Sequence, residues 1–297
     1  EALDARAAAI AEYNNSGRTF SPKEISVSDY LDYWLETVIH KNVDHGYSYN
    51  TYRDYESKIR LHLKPAFGIY RLNRFQYAPD KVQEWADSMK VKGFSKSMIQ
   101  NTLTCLQGAM NYAILPLKYI QANPCVAVKI GKMPMDMTAK AHTEYICSAE
   151  EFNQILKRFP ADNCFHLSLV VPYNTGTRIG ETFAIDLSQD VDFEKHELRI
   201  HGQMQKVEKP WYIKPPKYDS YRTIKMGETL EKELKFAIQQ RRINKLKYGG
   251  AYSKTYLLPD RSIAQIRADI DVPYKEILPL CVKENGALLT PDSFKYC

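Results

Sequence analysis

The sequence predicts an α+β fold, in which an all-helical domain is joined by a linker to a mixed domain with a small antiparallel sheet. Three patterns carry this prediction. Apolar side chains recur at helical spacing between capping residues over positions 24–125. Positions 126–146 are richer in Pro, Gly and Lys and lack apolar periodicity, which is typical of a linker. From position 191 onward, apolar and polar side chains alternate as they do in half-buried strands.

Four helices are predicted in the first domain, at 28–40, 48–65, 79–92 and 95–115. Ser48 is expected to open the second helix, and Ser95 or Ser97 the fourth. The first is expected to open at Ser28 or Asp29, because such side chains accept hydrogen bonds from the first free amides. The second is expected to end at Pro65 and Gly68, because proline lacks the amide that a helix interior needs. Together these segments predict a helical bundle.

The second domain is predicted to begin with helices. Ser148 and Glu151 have the spacing of a capping box, and a further helix is predicted over 164–173. Residues 174–176 form a turn into a helix that starts with TRIGETFAI. A long helix is predicted over 228–247.

Strands are predicted between these helices. Alternation around Val191 and Phe193, and again at Leu198 and Ile200, predicts two of them. A hairpin is predicted next, with WYIK and YRTIKM as its arms and PPKYDS as its tip.

Length and cysteine content narrow the class of protein. The 297 residues suffice for about two domains, and no apolar run is long enough to predict a membrane span. Residue 1 is Glu, so the natural chain is expected to start earlier. The cysteines lack CxxC or zinc-ligand spacing, which fits a reducing cytoplasm and predicts no metal site. They are Cys105, Cys125, Cys147, Cys164, Cys281 and Cys297.

Positive charge is concentrated in one stretch of the chain. The net charge is +6, and residues 201–247 alone hold 12 Lys/Arg against 5 Asp/Glu. A local basic surface favours a polyanionic partner, and nucleic acid is the obvious candidate. A solvated helix face is the alternative for residues 228–247.

The sharpest motif is TGTRIGE, at positions 175–181. Arg178 is predicted in the first turn of its helix, with Glu181 on the same face. Ile179 and Phe183 are expected to face the core. A guanidinium held by a carboxylate offers a fork for two phosphate oxygens. An ordinary surface Arg–Glu pair is the alternative, but the flanking glycines and the basic hairpin favour phosphate binding.

Lys217 lies at the tip of the predicted hairpin, about 39 residues after Arg178. A lysine on a rigid hairpin can reach into a groove and donate a proton to a leaving oxygen. A solvated turn lysine is the alternative. The spacing from TGTRIGE makes Lys217 part of a pattern.

The order of these features resembles the tyrosine recombinase family, most of all the integrases of conjugative transposons and temperate phages. The features are a helical domain, a linker, TGTRIGE and PPKYDSYRTI. The resemblance implies site-specific recombination, in which a mobile element is integrated or excised by phosphotyrosine-mediated strand breaking and rejoining. It implies that Arg178 binds the scissile phosphate and that Lys217 is the general acid toward the 5′ hydroxyl. Glu181 is implied to support them.

The resemblance also implies a domain plan. Residues 24–125 correspond to a core DNA-binding domain and residues 147–297 to a catalytic domain, which close around DNA like a clamp. Residues 126–146 are the linker between them. Residues 1–23 are then the tail of an N-terminal arm-binding region.

One departure from the family is severe. The family places an HxxR box, a further His or Trp and the nucleophilic Tyr beyond the point where this sequence stops. His196 to Arg199 has the HxxR spacing but lies too early and in a predicted strand. Tyr296 lies in a helix, predicted to start at Thr290 and Pro291, that should precede the box. With one arginine, one lysine and no nucleophile, the chain is expected to bind DNA without cleaving it.

Further DNA contacts are predicted outside the active site. Lys and Arg are expected mostly on phosphates, whereas Gln and Asn can read adenine edges. The predicted residues are Arg53, Lys58, Arg60, Lys96, Gln100 and Asn101 in the first domain and Lys206, Lys209, Lys214 and Arg222 in the second. Ordinary surface polarity is the alternative. Four tyrosines are predicted to pack rather than stack on bases, namely Tyr47, Tyr49, Tyr52 and Tyr55.

The resemblance implies double-stranded DNA as the partner, self-association into a tetramer for the full-length protein, and an excision accessory factor as a further partner. It implies a bacterial cytoplasm and association with the nucleoid. No cofactor is predicted, because Walker A, GxGxxG and magnesium-binding carboxylate patterns are lacking. Two alternatives stay open: a non-enzymatic DNA-binding protein derived from the clamp, and a helical adaptor with a coincidental TGTRIGE.

Overall fold

The computed structural model describes residues 24–43, 46–131, 146–208 and 210–296. The chain divides into two compact units, Glu1–His142 and Thr143–Cys297. The predicted arm remnant, most of the predicted linker and Lys209 lie outside the described residues. Within the described part of the chain, no helix is long and apolar enough to cross a membrane.

The described residues of the first unit form helices joined by short turns. Helix α1 spans Val27–Trp34 and continues as a π-helical turn, Leu35–His40. Helix α2 spans Tyr49–Lys58 and passes through a π-helical segment, Ile59–Leu63, into α3, Lys64–Phe67. The remaining helices are α4 at Leu72–Phe75, α5 at Pro79–Val91 and α6 at Lys96–Ile114.

Serine side chains set the starts of these helices. Ser48 caps α2 and Ser95 caps α6, which confirms both predictions. Helix α1 starts earlier than predicted, because Ser26 Oγ accepts the amide hydrogen of Asp29 at 3.0 Å. Ser28 therefore lies inside the helix.

Of the two residues predicted to end the second helix, Gly68 does so and Pro65 does not. The chain stays helical through Pro65 as far as Phe67, and Gly68 follows. In the π-helical segment before it, the amide of Lys64 donates to the carbonyl of Ile59, five residues back. Pro65 then lies in the first turn of α3, where its missing amide costs little.

Aromatic side chains contribute much of the core of the first unit. Tyr30 is fully buried, and its hydroxyl donates to the carbonyl of Ala109 at 2.6 Å. This bond satisfies the polar end of a buried ring. Tyr52 and Tyr55 pack partly buried against the core, and Tyr55 stacks on Trp34 with ring centroids 5.7 Å apart. The prediction that these two tyrosines pack is confirmed.

The second unit combines helices with small antiparallel sheets, so the α+β prediction is confirmed. Ser148 and Glu151 form the predicted capping box of α7. The helices are α7 at Ala149–Arg158, α8 at His166–Thr175, α9 at Ile179–Ala184 and α10 at Glu228–Tyr248. Short 3₁₀ turns occupy Lys217–Asp219, Gly249–Ala251 and Pro291–Tyr296, the last in place of the helix predicted after Thr290.

The described residues of this unit include eight strands, which make three sheets. The strands are β1 at Val191–Asp192, β2 at Glu197–Ile200, β3 at Gln203–Lys206, β4 at Trp211–Lys214, β5 at Arg222–Lys225, β6 at Ser253–Leu257, β7 at Ile263–Arg267 and β8 at Lys275–Ile277. The sheet orders are β1-β2-β5, the two-stranded β3-β4 ribbon, and β7-β6-β8.

The predicted hairpin between WYIK and YRTIKM is wrong. Both segments contain strands, but β4 pairs with β3, with Met204 opposite Ile213. Strand β5 pairs instead with β2, with Leu198 opposite Ile224. PPKYDS therefore connects two sheets. Alternation identifies a strand and its faces but does not determine its partner.

The core of the second unit forms where α9, α10 and the sheets meet. Phe183, Leu230 and Leu234 are buried there, which confirms the prediction for Phe183. Ile179 was expected to face the core but is 55% exposed, because it is the first residue of α9 and lies at the surface.

A buried carboxylate joins two distant segments of this unit. Asp186 Oδ1 accepts the amide hydrogens of Ser188 and Leu278, each at 3.0 Å. Burial alone would raise the pKa of Asp186, but hydrogen bonds from Ser188, Leu278 and Gln189 hold it below its usual range. The charged carboxylate therefore fixes the turn after α9 against the segment after β8.

Candidate functional site

Three threonine hydroxyls hold the loop between α8 and α9. Thr175 Oγ1 donates to the carbonyl of Val171 at 2.6 Å and lies 3.0 Å from Thr177 Oγ1. Thr177 Oγ1 lies 2.9 Å from Thr182 Oγ1 inside α9. Gly176 has a φ of +64°, which glycine adopts without strain. The TGTRIGE segment therefore enters its helix with a fixed shape.

Arg178 is the residue immediately before α9, rather than a residue of its first turn as predicted. Its backbone is extended, and its amide donates to Glu181 Oε2 at 2.9 Å. Its Nη1 donates to Glu181 Oε1 at 2.7 Å, so the predicted pairing of these side chains is confirmed. The Arg178 side chain is 57% exposed, whereas that of Glu181 is 1% exposed. An exposed guanidinium is thus tethered to a buried carboxylate.

Arg222 of β5 binds the same carboxylate. Its Nη2 donates to Glu181 Oε2 at 2.7 Å, and its Nη1 donates to the carbonyl of Ser220 at 3.3 Å. Burial alone would raise the pKa of Glu181, but hydrogen bonds from Arg222 and Arg178 outweigh it and lower the pKa to about 2. Glu181 therefore stays ionised and joins α9 to β5.

Lys217 lies in the turn between β4 and β5, which Arg178 approaches. The Nη1 of Arg178 lies 3.5 Å from Ser220 Oγ in this turn, the long limit of a hydrogen bond. Tyr218 and Asp219 have φ values of +61° and +50°, a conformation that residues with a side chain adopt at some cost. Lys217 is exposed, and its Nζ lies 5.0 Å from the centre of the Tyr218 ring. The structure brings Arg178 to the turn that carries Lys217.

This arrangement is suited to binding an oxyanion. A guanidinium held through its Nη1 is restricted in orientation, and its planar set of N–H groups matches two oxygens of a phosphate. An exposed ammonium on the neighbouring turn adds a second cation with protons to donate. Among the described residues, no group of three or more His, Cys, Asp or Glu could hold a metal ion.

The predicted DNA contacts of the first unit differ in exposure. Exposed side chains are those of Arg53, Arg60, Lys96, Gln100 and Asn101. The side chain of Lys58 is 7% exposed, pairs with Asp54, and lies 5.9 Å from the ring centre of Tyr55. Lys58 shares the inward face of α2 with Tyr55, three residues earlier. The prediction that Lys58 lies at the surface was therefore wrong. Its ammonium pairs with Asp54 beside the Tyr55 ring.

The predicted contacts of the second unit also differ in their surroundings. Lys206 is exposed and lies 3.5 Å from Asp292. Lys214 is half-buried, with its Nζ 5.9 Å from the ring centre of Tyr212. Arg222 binds Glu181 rather than projecting away from the unit.

The HxxR spacing at His196 has a structural explanation. His196 Nδ1 hydrogen-bonds to Glu231 of α10, and its backbone carbonyl accepts from Met226 at the end of β5. Arg199 is exposed on β2. The backbone of Tyr296 belongs to the last 3₁₀ turn, and its side chain lies outside the described residues.

The partnership of Arg222 with Glu181 was missed by sequence reasoning. The two residues are 41 positions apart, so no helical or strand period relates them. The predicted hairpin also paired β5 with β4, whereas β5 pairs with β2. The contact between Arg222, the first residue of β5, and α9 was therefore not expected. The available signal was chemical, since a buried carboxylate requires a cationic or hydrogen-bonding partner.

Comparison with known proteins finds sequence similarity to integrases and recombinases. A family model described as "Phage integrase, N-terminal SAM-like domain" matches residues 26–90. Over 254 residues the chain is 24% identical to a "Tyrosine recombinase XerC-like" protein of Caldanaerobacter subterraneus subsp. tengcongensis, covering 81% of this chain and 63% of that protein. The chain thus spans somewhat less than two thirds of the length of this relative.

The fold agrees with these matches. The Tn1549 transposon integrase, solved in complex with a circular intermediate DNA, matches with a TM-score of 0.65 and 21% identity, over 91% of this chain and 75% of that one. In sequence and in fold, the chain is thus similar to integrases and tyrosine recombinases. The lambda integrase tetramer bound to a Holliday junction is a more distant match, with a TM-score of 0.52, 16% identity, and coverage of 82% of this chain and 64% of that one. An integrase fold over 91% of the chain argues against the unrelated helical adaptor.

Proposed function

We propose that this chain binds and activates DNA phosphate in a site-specific recombinase that integrates or excises a mobile element. The recombinase breaks and rejoins strands through a phosphotyrosine link. The observation that supports this proposal most is the Arg178 guanidinium, which is held by the buried Glu181 and reaches the turn of Lys217. An unrelated surface ion pair would need neither the burial of the carboxylate nor that turn.

Each residue of the site has a role in the proposed chemistry. Arg178 binds two oxygens of the scissile phosphate and offsets the charge that builds on them during attack. Glu181 holds the guanidinium in place, and it remains ionised because its pKa is about 2. Lys217 donates a proton to the departing 5′ oxygen, and its exposed ammonium can reach a bound strand.

We infer the following plan for the whole protein. Residues 24–125 form the core DNA-binding domain, residues 126–146 the linker and residues 147–297 the catalytic domain. Double-stranded recombination sites are the partner. The full-length protein assembles on two DNA duplexes as a tetramer, as the lambda integrase does on a Holliday junction.

Residues 1–297 are proposed to bind DNA without cleaving it. Cleavage requires a tyrosine hydroxyl that attacks phosphorus, together with further cations on the phosphate. The HxxR spacing at 196–199 contains no tyrosine, and its His196 is engaged with Glu231, which argues against a role for this histidine on the phosphate.

A suicide-substrate assay on the full-length protein tests the proposal. The substrate is a nicked duplex built from the DNA at the ends of the mobile element. A covalent DNA adduct is expected, and Arg178→Ala should abolish it while binding to the same duplex weakens only a few-fold. Arg158→Ala, which removes an exposed arginine in the last turn of α7, is the matched control and should leave the adduct intact.

The assay can contradict the proposal in two separate ways. An undiminished adduct with Arg178→Ala would remove this arginine from the chemistry. An adduct formed by residues 1–297 alone would show that this chain supplies its own nucleophile.

A further inference from the structure

The β3-β4 ribbon has one buried face and one half-exposed face. Residues opposite each other in an antiparallel pair share a face, and Met204 and Ile213 make the buried pair. On the other face, Gln203 lies opposite Lys214 and Gln205 opposite Tyr212. The outer face of the ribbon is therefore defined by Gln203, Gln205, Tyr212 and Lys214, all half-buried.

This outer face adjoins the phosphate site. Gly180, two residues after Arg178, packs so closely on β3 that an added Cβ would lie 3.2 Å from the carbonyl oxygen of Met204 and 3.6 Å from Cβ of Gln203. The Nε2 of Gln203 donates to the carbonyl of Pro215 at 2.9 Å, at the start of the turn that carries Lys217. The ribbon thus connects the start of α9 to the lysine turn.

The side chains of the outer face are better suited to hydrogen-bonding with base edges than to binding phosphates alone. Within the described residues, the side-chain amide of Gln205 has no hydrogen-bond partner, so its donor and its acceptor are both available. A glutamine amide can pair with the N6 and N7 positions of adenine, and two-stranded ribbons fit the major groove. Lys214, with its Nζ 5.9 Å from the Tyr212 ring centre, adds positive charge beside it.

We propose that the outer face reads DNA base edges beside the phosphate bound by Arg178, with Gln205 as the residue that specifies adenine. Gln203 is a positioning residue, because its amide is already bonded to Pro215. This inference rests on the proposed function, since it takes duplex DNA as the ligand. It adds a source of sequence specificity in the second unit, separate from the helices of the first.

Selection of bound duplexes from a random pool tests the inference with residues 1–297. The selected sequences should contain a preferred adenine that is lost with Gln205→Ala, and affinity for the preferred duplex should fall about tenfold. Binding to unrelated duplexes should not change. Gln239→Ala, an exposed glutamine on α10, is the matched control and should select the same sequences as the unaltered chain.

A second variant guards against a simple loss of folding. Gln205→Glu should change the preferred base from adenine to cytosine, because a carboxylate accepts from the cytosine amino group but cannot donate to adenine N7. Replacing the preferred adenine with 7-deazaadenine should weaken binding of the unaltered chain but not of Gln205→Ala. Identical selected sequences for all variants would overturn the inference while leaving the proposed function standing. Failure of every form to bind DNA would overturn both.

Discussion

At the scale of single residues, Glu181 links a buried charge to an exposed one. A carboxylate that is 1% exposed would be costly without partners, and here two guanidiniums and a backbone amide bind it. Because the carboxylate cannot move, Arg178 is restricted to a small range of orientations. A phosphate then meets a fork that has already lost most of its rotational freedom, which favours binding.

Glu181→Gln should destabilise the fold at neutral pH by about 2–3 kcal/mol, which follows from the lowered pKa. The folded-state pKa of about 2 lies below the ordinary glutamate value of 4.5, so the charge stabilises the fold fully above pH 4.5. This contribution is lost as the pH falls from 4.5 toward 2. Urea unfolding of both forms at about pH 7 and about pH 3.5 should therefore show a gap in unfolding free energy that narrows in acid.

The control for this experiment is Glu150→Gln, which changes an exposed carboxylate in the first turn of α7. It should shift the unfolding free energy by no more than about 0.5 kcal/mol. A gap for Glu181→Gln that is the same at both pH values would mean that the ionised carboxylate is not what stabilises the site.

At the scale of elements, the sequence predicts where helices begin better than which strands pair. Ser48, Ser95 and Ser148 cap their helices as predicted, because a cap is formed within four residues. The pairing of β4 and β5 was predicted wrongly, and strands β6 to β8 were not predicted at all. Strand partners are chosen by tertiary packing, which one-dimensional alternation does not contain.

The candidate site shows the same difference between local contacts, which the sequence predicts, and long-range contacts, which it does not. Arg178 and Glu181 were found together because they are three residues apart in one segment. Arg222 was not joined to them, since the contact crosses from β5 to α9. Sequence reasoning therefore recovered the local half of the site and missed the long-range half.

Arg222→Ala should destabilise the protein by about 2 kcal/mol, because a hydrogen bond to a buried charge is lost and Glu181 keeps only Arg178. Arg222→Lys should recover part of this loss, since it restores the charge but not the planar fork. Chemical denaturation measures both. Arg267→Ala removes an exposed arginine that pairs with Asp269, and it should cost no more than about 0.5 kcal/mol.

Equal effects of Arg222→Ala and Arg267→Ala would show that the contact with Glu181 is no stronger than a surface ion pair. A larger effect of Arg222→Ala on DNA affinity than on stability would assign this arginine to the phosphate instead.

At the scale of the whole molecule, the structure leaves fewer exposed cations than the sequence predicted for DNA contact. Lys58 is buried and pairs with Asp54, and Arg222 is bound to Glu181. Exposed side chains remain at Arg60 and Lys96 in the first unit and at Lys206, Arg178 and Lys217 in the second. Each of the two units thus keeps exposed cations. The net charge of +6 does not show this, because it sums over the whole chain and not over the surface that a polyanion would contact.

The salt dependence of DNA binding measures how many phosphates the chain neutralises. If about six phosphates are neutralised, the logarithm of the association constant should fall with the logarithm of salt concentration with a slope of about −5. Raising salt from about 50 to about 200 mM should then weaken binding by about a thousandfold. Fluorescence anisotropy with a labelled duplex gives the slope directly.

Two lysine variants test which cations contribute to this slope. Lys96→Ala, which removes one exposed cation of α6, should reduce the magnitude of the slope by about 1. Lys58→Met should leave the slope unchanged, because Lys58 already binds Asp54. An equal reduction by both substitutions would mean that Lys58 leaves its buried position when DNA binds.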